Sequence, residues 1–182
     1  MLDSYYTTTR PDMDRFIPAK LGNVLEVGCS AGGFSGQLVP RANEVWGVEP
    51  NVDAARIAAT RLGTVLTGIY DDVADQLPDR HFDLVICNDV IEHMPDHDRF
   101  LQEIKRKMKP GALLVGSLPN MRHITALVKL LVLKDWAYRD EGILDRTHLR
   151  FFTRKSIEKS LTDNGYAIQA MHGGSGVLKH GF

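Results

Sequence analysis

Gly28, Ser30, Gly32 and Gly33 form a turn of small residues directly after the apolar run Val24-Leu25-Glu26-Val27. Glycines behind a buried strand let the backbone come close to a ligand. Free N–H groups at the start of the following element favour an anionic or nucleotide-type group. An acid, Glu49, follows the turn by about 20 residues. A carboxylate there can accept both hydroxyl protons of a ribose in a two-point contact, and it disfavours a ribose that carries a phosphate. The competing reading of Glu49 is a solvated acid at a strand end.

These residues need elements to hold them. Val24 to Val27 has the unbroken apolar character of a strand covered on both faces. Phe34 to Val39 reads as a short helix before Pro40, and Glu44 to Glu49 as a second strand. Asn51 caps a helix that runs to Arg61, with Gly63 at its end. Thr64 to Thr67 is a short third strand and Asp71 to Gln76 an acidic turn or short helix. Phe82 to Cys87 is a fourth strand, followed by the loop Asn88-Asp89-Val90-Ile91-Glu92-His93-Met94-Pro95. Asp98 to Lys109 is a helix with one apolar stripe (Phe100, Leu101, Ile104, Met108), broken by Pro110-Gly111 before a fifth strand from Ala112 to Ser117. Strand and helix alternate five times, which predicts an α/β fold with an open, doubly wound, mostly parallel sheet. Right-handed crossovers then gather the strand C-termini at one edge, with Gly28 to Gly33, Glu49, Tyr70 to Asp72 and Asn88 to His93 along it. Past Leu118 the alternation stops. Ile124 to Leu133 reads as an apolar helix, Thr153 caps a helix from Arg154 to Asn164, and Tyr166 to His172 is expected as a sixth strand.

The 182 residues amount to one domain, and the formal net charge of −1 gives no argument for nucleic acid or a membrane surface. The basic cluster Lys105 to Lys109 lies on a helix away from the predicted site edge. Cys29 and Cys87 read as small buried thiols of a reducing compartment. No leader pattern and no membrane-spanning run is evident, so a soluble cytoplasmic protein is expected. No metal site is expected.

The glycine turn alone fits two chemistries. Glycines at 28 and 33 fit a degraded dinucleotide fingerprint, with Glu49 as its distal acid. Glu26, Gly28, Ser30 and Gly32 fit equally an E-x-G-x-G-x-G methyl-donor turn in which serine replaces the middle glycine.

The later segments separate these readings. Val24 to Gly33, Val45 to Glu49, Phe82 to Pro95 and Leu101 to Pro119 together resemble the class I S-adenosylmethionine-dependent methyltransferases. The stretch Gly142-Ile143-Leu144-Asp145-Arg146-Thr147-His148-Leu149-Arg150-Phe151-Phe152-Thr153 resembles bacterial members encoded with glycosyltransferases and surface-polysaccharide enzymes. The resemblance covers residues 22 to 170. It implies a Rossmann-like fold, S-adenosyl-L-methionine as cofactor and S-adenosyl-L-homocysteine as product. It places Glu26, Gly28, Cys29, Ser30 and Gly32 around the methionine part of the donor. Glu49 would take the ribose, with Pro50 and Asn51 beside the adenine. Ile69, Tyr70 and Asp71 would border the adenine, Asp71 replacing an acid that family members carry at position 69. Asn88 and Val90 would close the site below strand four. Ser30 needs a backbone angle open to serine, and its hydroxyl is a candidate partner of the donor carboxylate.

Methyl transfer from a sulfonium is an in-line displacement, so positioning and desolvation dominate. A base is needed for a poorly acidic hydroxyl acceptor. His93 is the first candidate, because the loop after strand four faces the methyl group in this fold; His148 is second and His123 third. Each has a plainer reading as a local capping or packing group. Arg146 and Arg150 suit an anionic acceptor, and Trp136 and Tyr138 suit stacking on a sugar or aromatic one. The expected organisation is an N-terminal arm over residues 1–21 and a single methyltransferase domain over 22–182, with an acceptor lid at 119–150. The expected acceptor is a small molecule or sugar hydroxyl, and the expected state is a monomer or homodimer. A seventh, antiparallel strand is usual in this superfamily, but only Gly173 to Phe182 remain for it, with Val177-Leu178 as a poor candidate. A chain of this length is therefore expected to associate more readily than a longer one. Two alternatives stand beside the enzyme reading: a non-catalytic donor-binding module or fragment, and a nicotinamide-dependent oxidoreductase. The second lacks a further mononucleotide half after strand five.

Overall fold

The computed structural model describes residues 9–173. Five parallel strands form one sheet in the order β3-β2-β1-β4-β5. They are β1 (Asn23–Val27), β2 (Glu44–Glu49), β3 (Thr64–Thr67), β4 (Phe82–Asn88) and β5 (Met108–Ser117). The chain steps outward from β1 to β2 and β3, then returns to place β4 on the other side of β1. The sheet is thus doubly wound, and its switch point lies between the C-terminal ends of β1 and β4.

Crossovers running in opposite directions put helices on opposite faces. Helix α1 (Val52–Ala58) starts at Asn51, whose Oδ1 accepts from the N–H of Asp53 and Ala54 at 3.0 Å each. Helix α2 is the single turn Tyr70–Val73, and α3 (His97–Lys107) is capped by Asp96. Helix α4 is Ile124–Leu131. Helix α5 (Arg154–Asp163) begins with a capping box between Thr153 and Ser156, as the sequence led us to expect from Thr153.

The alternation of β1 divides the core in two. Leu25 and Val27 point into a cluster with Tyr70, Phe100, Leu101, Ile104 and Ile157. Val24 points the other way, into a cluster with Leu38, Val45, Ala58, Leu62 and Ile86. Of the expected stripe, Phe100, Leu101 and Ile104 are buried on α3, and Met108 is buried as the first residue of β5. Such a two-sided core leaves the strand ends as the place where polar side chains can be both buried and unengaged.

Three expectations fail. The segment after the glycine turn is not an α-helix but the 3-10 turns Ser35–Gln37 and Val39–Arg41, because Gly32, Gly33 and Gly36 crowd its start and Pro40 its end. Strand β5 begins at Met108, before Pro110-Gly111, and continues through both with a register shift opposite Phe82 and Leu84. A proline is tolerated there because β5 is an edge strand among the described residues. Tyr166 to His172 is not a strand. Its tyrosine is captured by α3, with Oη donating to the Leu101 carbonyl at 2.7 Å, and residues 167–170 stay exposed. A segment held from the helix layer cannot join the edge of the sheet. The candidate seventh strand at Val177-Leu178 lies outside the described residues. Among the described residues no helix is long and apolar enough to cross a membrane.

Candidate functional site

The turn after β1 alternates in handedness. Gly28 (φ 71°), Ser30 (φ 54°) and Gly32 (φ 71°) all lie in the left-handed region. A side chain at Gly28 would also meet Val90 Cγ2 at 2.7 Å, so Val90 of the β4 loop closes over the turn. The turn is pinned to β2 from beneath: the N–H groups of Gly28 and Cys29 donate to the Val48 carbonyl at 2.8 and 3.1 Å. The Cys29 thiol is buried against Gly47, away from the open side, and burial pushes its pKa up. Within the turn the thiol donates to the Ser30 carbonyl at 3.7 Å.

Glu49 ends β2 and is 5% exposed. One carboxylate oxygen accepts from the Ser30 N–H and the other from the Asn51 N–H, both at 2.8 Å. Burial raises its pKa and the two N–H contacts oppose the rise. The carboxylate thus fixes Ser30 in its unusual conformation and keeps a lone pair on each oxygen for a ligand. Pro50 is exposed beside it.

Glu26 lies under the turn, 3% exposed, and accepts from the Ser35 N–H at 3.3 Å. Burial holds its pKa at about 7, with the Ser35 N–H opposing the rise. Around it several buried polar atoms have no partner among the described residues: Ser30 Oγ, Ser35 Oγ, and both side-chain atoms of Asn88. A buried polar group without a hydrogen bond is unfavourable, and a cluster of them beside a left-handed glycine turn calls for a polar ligand. The donor set holds two acids, two hydroxyls and an amide. It fits a ligand that presents an ammonium, a carboxylate and a diol, and so fits S-adenosylmethionine.

The residues expected at the adenine divide. Ile69 is 55% exposed and Asp71 is exposed, both free to border a ligand. Tyr70 is not: its ring is buried in the core, edge-on to Phe100 at 4.8 Å. The one-turn helix α2 that starts at Tyr70 aims this ring inward, and its hydroxyl is a further unpartnered buried atom.

The β4 loop supplies the last group. Asp89 has φ 53°, and its carboxylate pairs with Arg10 from the N-terminal arm and accepts from Ser117 Oγ at 2.9 Å. Next comes the 3-10 turn Ile91–His93. His93 turns Nδ1 to the Thr147 carbonyl at 3.2 Å, and burial lowers its pKa. The His148 ring stands 4.8 Å from that of His93, with Nδ1 3.2 Å from the Ile143 carbonyl. The two leading histidines, 55 residues apart in sequence, are therefore neighbours. His123 is not with them; it caps α4 through Thr125. Arg146 pairs with Asp140, Arg150 binds the Pro95 carbonyl, and Trp136 rests edge-on against Phe151.

Sequence reasoning missed Glu92 as a site residue. It is 1% exposed, and burial pushes its pKa to about 8. Its backbone carbonyl accepts from the N–H groups of both Leu149 and Arg150, at 2.9 and 3.0 Å, which joins the 149–150 segment to the β4 loop. The available signal was an acid directly after the apolar pair Val90-Ile91. Ser35 and Arg10 were missed as well, since neither sits in a motif.

Comparison with known proteins fits this geometry. A family model described as a methyltransferase domain matches residues 7–170. A ubiquinone biosynthesis O-methyltransferase of Rickettsia canadensis is 22% identical over 156 residues, covering 82% of this chain and 64% of that protein. One from Bradyrhizobium diazoefficiens is 29% identical over 155 residues, covering 82% and 60%. The chain thus spans about three fifths of the length of the curated relatives it matches. Among solved structures, a SAM-dependent methyltransferase from Archaeoglobus fulgidus superposes with a TM-score of 0.67 at 22% identity, covering 86% of this chain and 66% of the other. A putative methyltransferase from Bacillus halodurans gives 0.66 at 20%, covering 88% and 70%. The family match decides between the two chemistries that the glycine turn left open. The chain belongs to the methyltransferase-domain family, and family and fold together imply S-adenosylmethionine as its cofactor.

Proposed function

We propose that this chain catalyses methyl transfer from S-adenosylmethionine to a hydroxyl oxygen of a small-molecule or sugar acceptor. The observation that carries the reading is the group of unpartnered buried polar atoms at Ser30, Ser35 and Asn88, set between the acids Glu26 and Glu49. Relatives named O-methyltransferases support oxygen as the accepting atom. The sugar alternative within this class rests on the resemblance of Gly142 to Thr153 and on the exposed Tyr138 and Arg146.

When bound, the cofactor supplies a methyl group activated by a positively charged sulfur. Glu49 accepts from the two ribose hydroxyls through the lone pairs its backbone contacts leave over. Glu26 and the Ser30 hydroxyl hold the amino-acid end, beside the glycines of the turn. Asn88 and Val90 close the site from the β4 side, and Pro50, Asn51 and Asp71 flank the base. His93, whose pKa burial lowers, takes the acceptor proton; the Thr147 carbonyl orients its ring and His148 packs beside it. Residues 119–150 form the acceptor lid and set substrate choice.

The test is turnover by the full chain. Isotope-labelled S-adenosylmethionine is incubated with small phenolic and sugar hydroxyl acceptors, and S-adenosylhomocysteine is followed by mass spectrometry. Calorimetry reads S-adenosylhomocysteine binding in parallel. Saturable product binding and transfer of label to acceptor oxygen are expected. Binding without turnover on any acceptor favours a donor-binding module, and absence of binding overturns the reading.

A further inference from the structure

Beside the donor site, Glu92, His93 and His148 converge. Among the described residues these three offer ligand atoms that all lie within 4.8 Å of one another. Glu92 is buried to 1% exposure, and neither of its carboxylate oxygens has a hydrogen-bond partner among the described residues. His148 Nε2 stands 3.9 Å from Oε1, beyond hydrogen-bond reach. A buried carboxyl without donors either holds its proton or takes up a counter-charge, and a cation bound beside it supplies the second.

The histidines are oriented for that role. Each turns Nδ1 to a backbone carbonyl at 3.2 Å, His93 to Thr147 and His148 to Ile143. A carbonyl only accepts, so the proton sits on Nδ1 and the lone pair on Nε2. An outer carbonyl contact of this kind is what fixes the tautomer of a metal-bound histidine. Two imidazoles and one carboxylate suit zinc and its first-row neighbours, whereas magnesium and calcium select oxygen ligands. At bond lengths of about 2.1 Å the donors of a tetrahedral site stand about 3.4 Å apart, so the three groups close by roughly an ångström on binding. His93, half-buried on a 3-10 turn, has room for that movement.

We propose that Glu92, His93 and His148 bind a divalent transition-metal ion of the zinc class. The ion joins the β4 loop to the 142–150 segment, reinforcing the tie already made through the Glu92 carbonyl. Three protein ligands leave a coordination position open. That position suits an acceptor hydroxyl, whose proton a metal of this class makes easy enough to lose to solvent; with its Nε2 lone pair on the ion, His93 then serves as ligand in place of base. This last step rests on the methyl-transfer reading, whereas the metal site does not.

The experiment uses untagged full chain stripped with a chelator. Zinc affinity is measured by competition with a chromophoric chelator, and cobalt(II) binding by visible d–d absorption. One ion per chain is expected, with the cobalt spectrum of a four- or five-coordinate nitrogen–oxygen site. H93Q and H148Q should each weaken binding by about tenfold or more. Metal-free melting curves, with H93Q at a half-buried position as the milder variant, separate ligand loss from misfolding. S-adenosylhomocysteine binding in chelator keeps the two readings apart. Nucleoside binding without a stoichiometric metal leaves the donor site standing and overturns the proposal. Equal zinc affinity in wild type, H93Q and H148Q overturns it too.

Discussion

Replacing Ser30 by glycine should make the protein more stable and its donor affinity weaker. Three terms set the stability change. Serine at φ 54° carries left-handed strain of about 1 kcal/mol, which glycine relieves. The buried, unpartnered Oγ costs about 1 kcal/mol at the low end of the range for such groups. Glycine adds freedom to the unfolded chain, which takes back about 0.5–1 kcal/mol. The balance is a gain of about 1 kcal/mol, or about 3 °C in melting temperature for a chain of this size. The Ser30 N–H that donates to Glu49 survives the change. S30A removes the hydroxyl and keeps the strain, so its stability should fall between wild type and S30G. If the hydroxyl meets the donor, both variants lose about tenfold in S-adenosylhomocysteine affinity, the size of one good hydrogen bond to a charged group. Urea titration with an unchanged slope reads the first effect and calorimetry the second. A destabilised S30G would refute the strain argument. Unaltered affinity in both variants would refute the role given to the hydroxyl.

Other residues give equally direct tests. Glu26, whose pKa rises from 4.5 to about 7 on folding, contributes its full stability below pH 4.5 and loses it as pH rises through 7. E26Q should therefore match wild type near pH 4 and gain on it by up to about 3 kcal/mol above pH 7; a stability difference that does not vary with pH refutes this. E49A removes the acceptor of two backbone N–H groups at 2.8 Å. We expect about 2 kcal/mol of destabilisation and loss of measurable S-adenosylhomocysteine binding, with near-normal affinity counting against a ribose contact. Deleting residues 122–140 should abolish methyl transfer while calorimetry still detects donor binding; loss of both would mean that this segment supports the donor site.

Much of this architecture could be read from residue order. The apolar runs at β1, β2 and β4, with glycine and proline punctuation, specify a buried parallel sheet because such strands have no solvent face to encode. Asn51 and Thr153 marked helix starts through capping chemistry, which is local. Failures came where tertiary partners decide. Pro110 looked like a break, yet the N–H of Arg80 and of His81 bind the carbonyls of Arg106 and Lys107 and draw the chain into β5 early. Tyr166 to His172 had strand-like composition but found a helix instead of a sheet edge. Tyr70 faces the core because α2 fixes its direction, a detail no spacing rule contains. At the candidate site, Glu26, Gly28, Ser30 and Glu49 sit close in sequence or at strand ends and were legible. The approach of His148 to Glu92 and His93 crosses more than fifty residues and depends on the path after β5.

That path has a property of its own. Residues 121–151 leave and re-enter the domain at one point: Asn120 and Phe152 form a bridge, and the Met121 N–H donates to the Phe152 carbonyl at 2.9 Å. An excursion closed at its neck can change length at little entropic cost, since closure depends only weakly on the number of residues enclosed. It behaves as an exchangeable cassette. Evolution or an engineer can exchange the whole segment, keeping the bridge and the Glu92 carbonyl tie as fixed splice points, without redesigning the sheet beneath it.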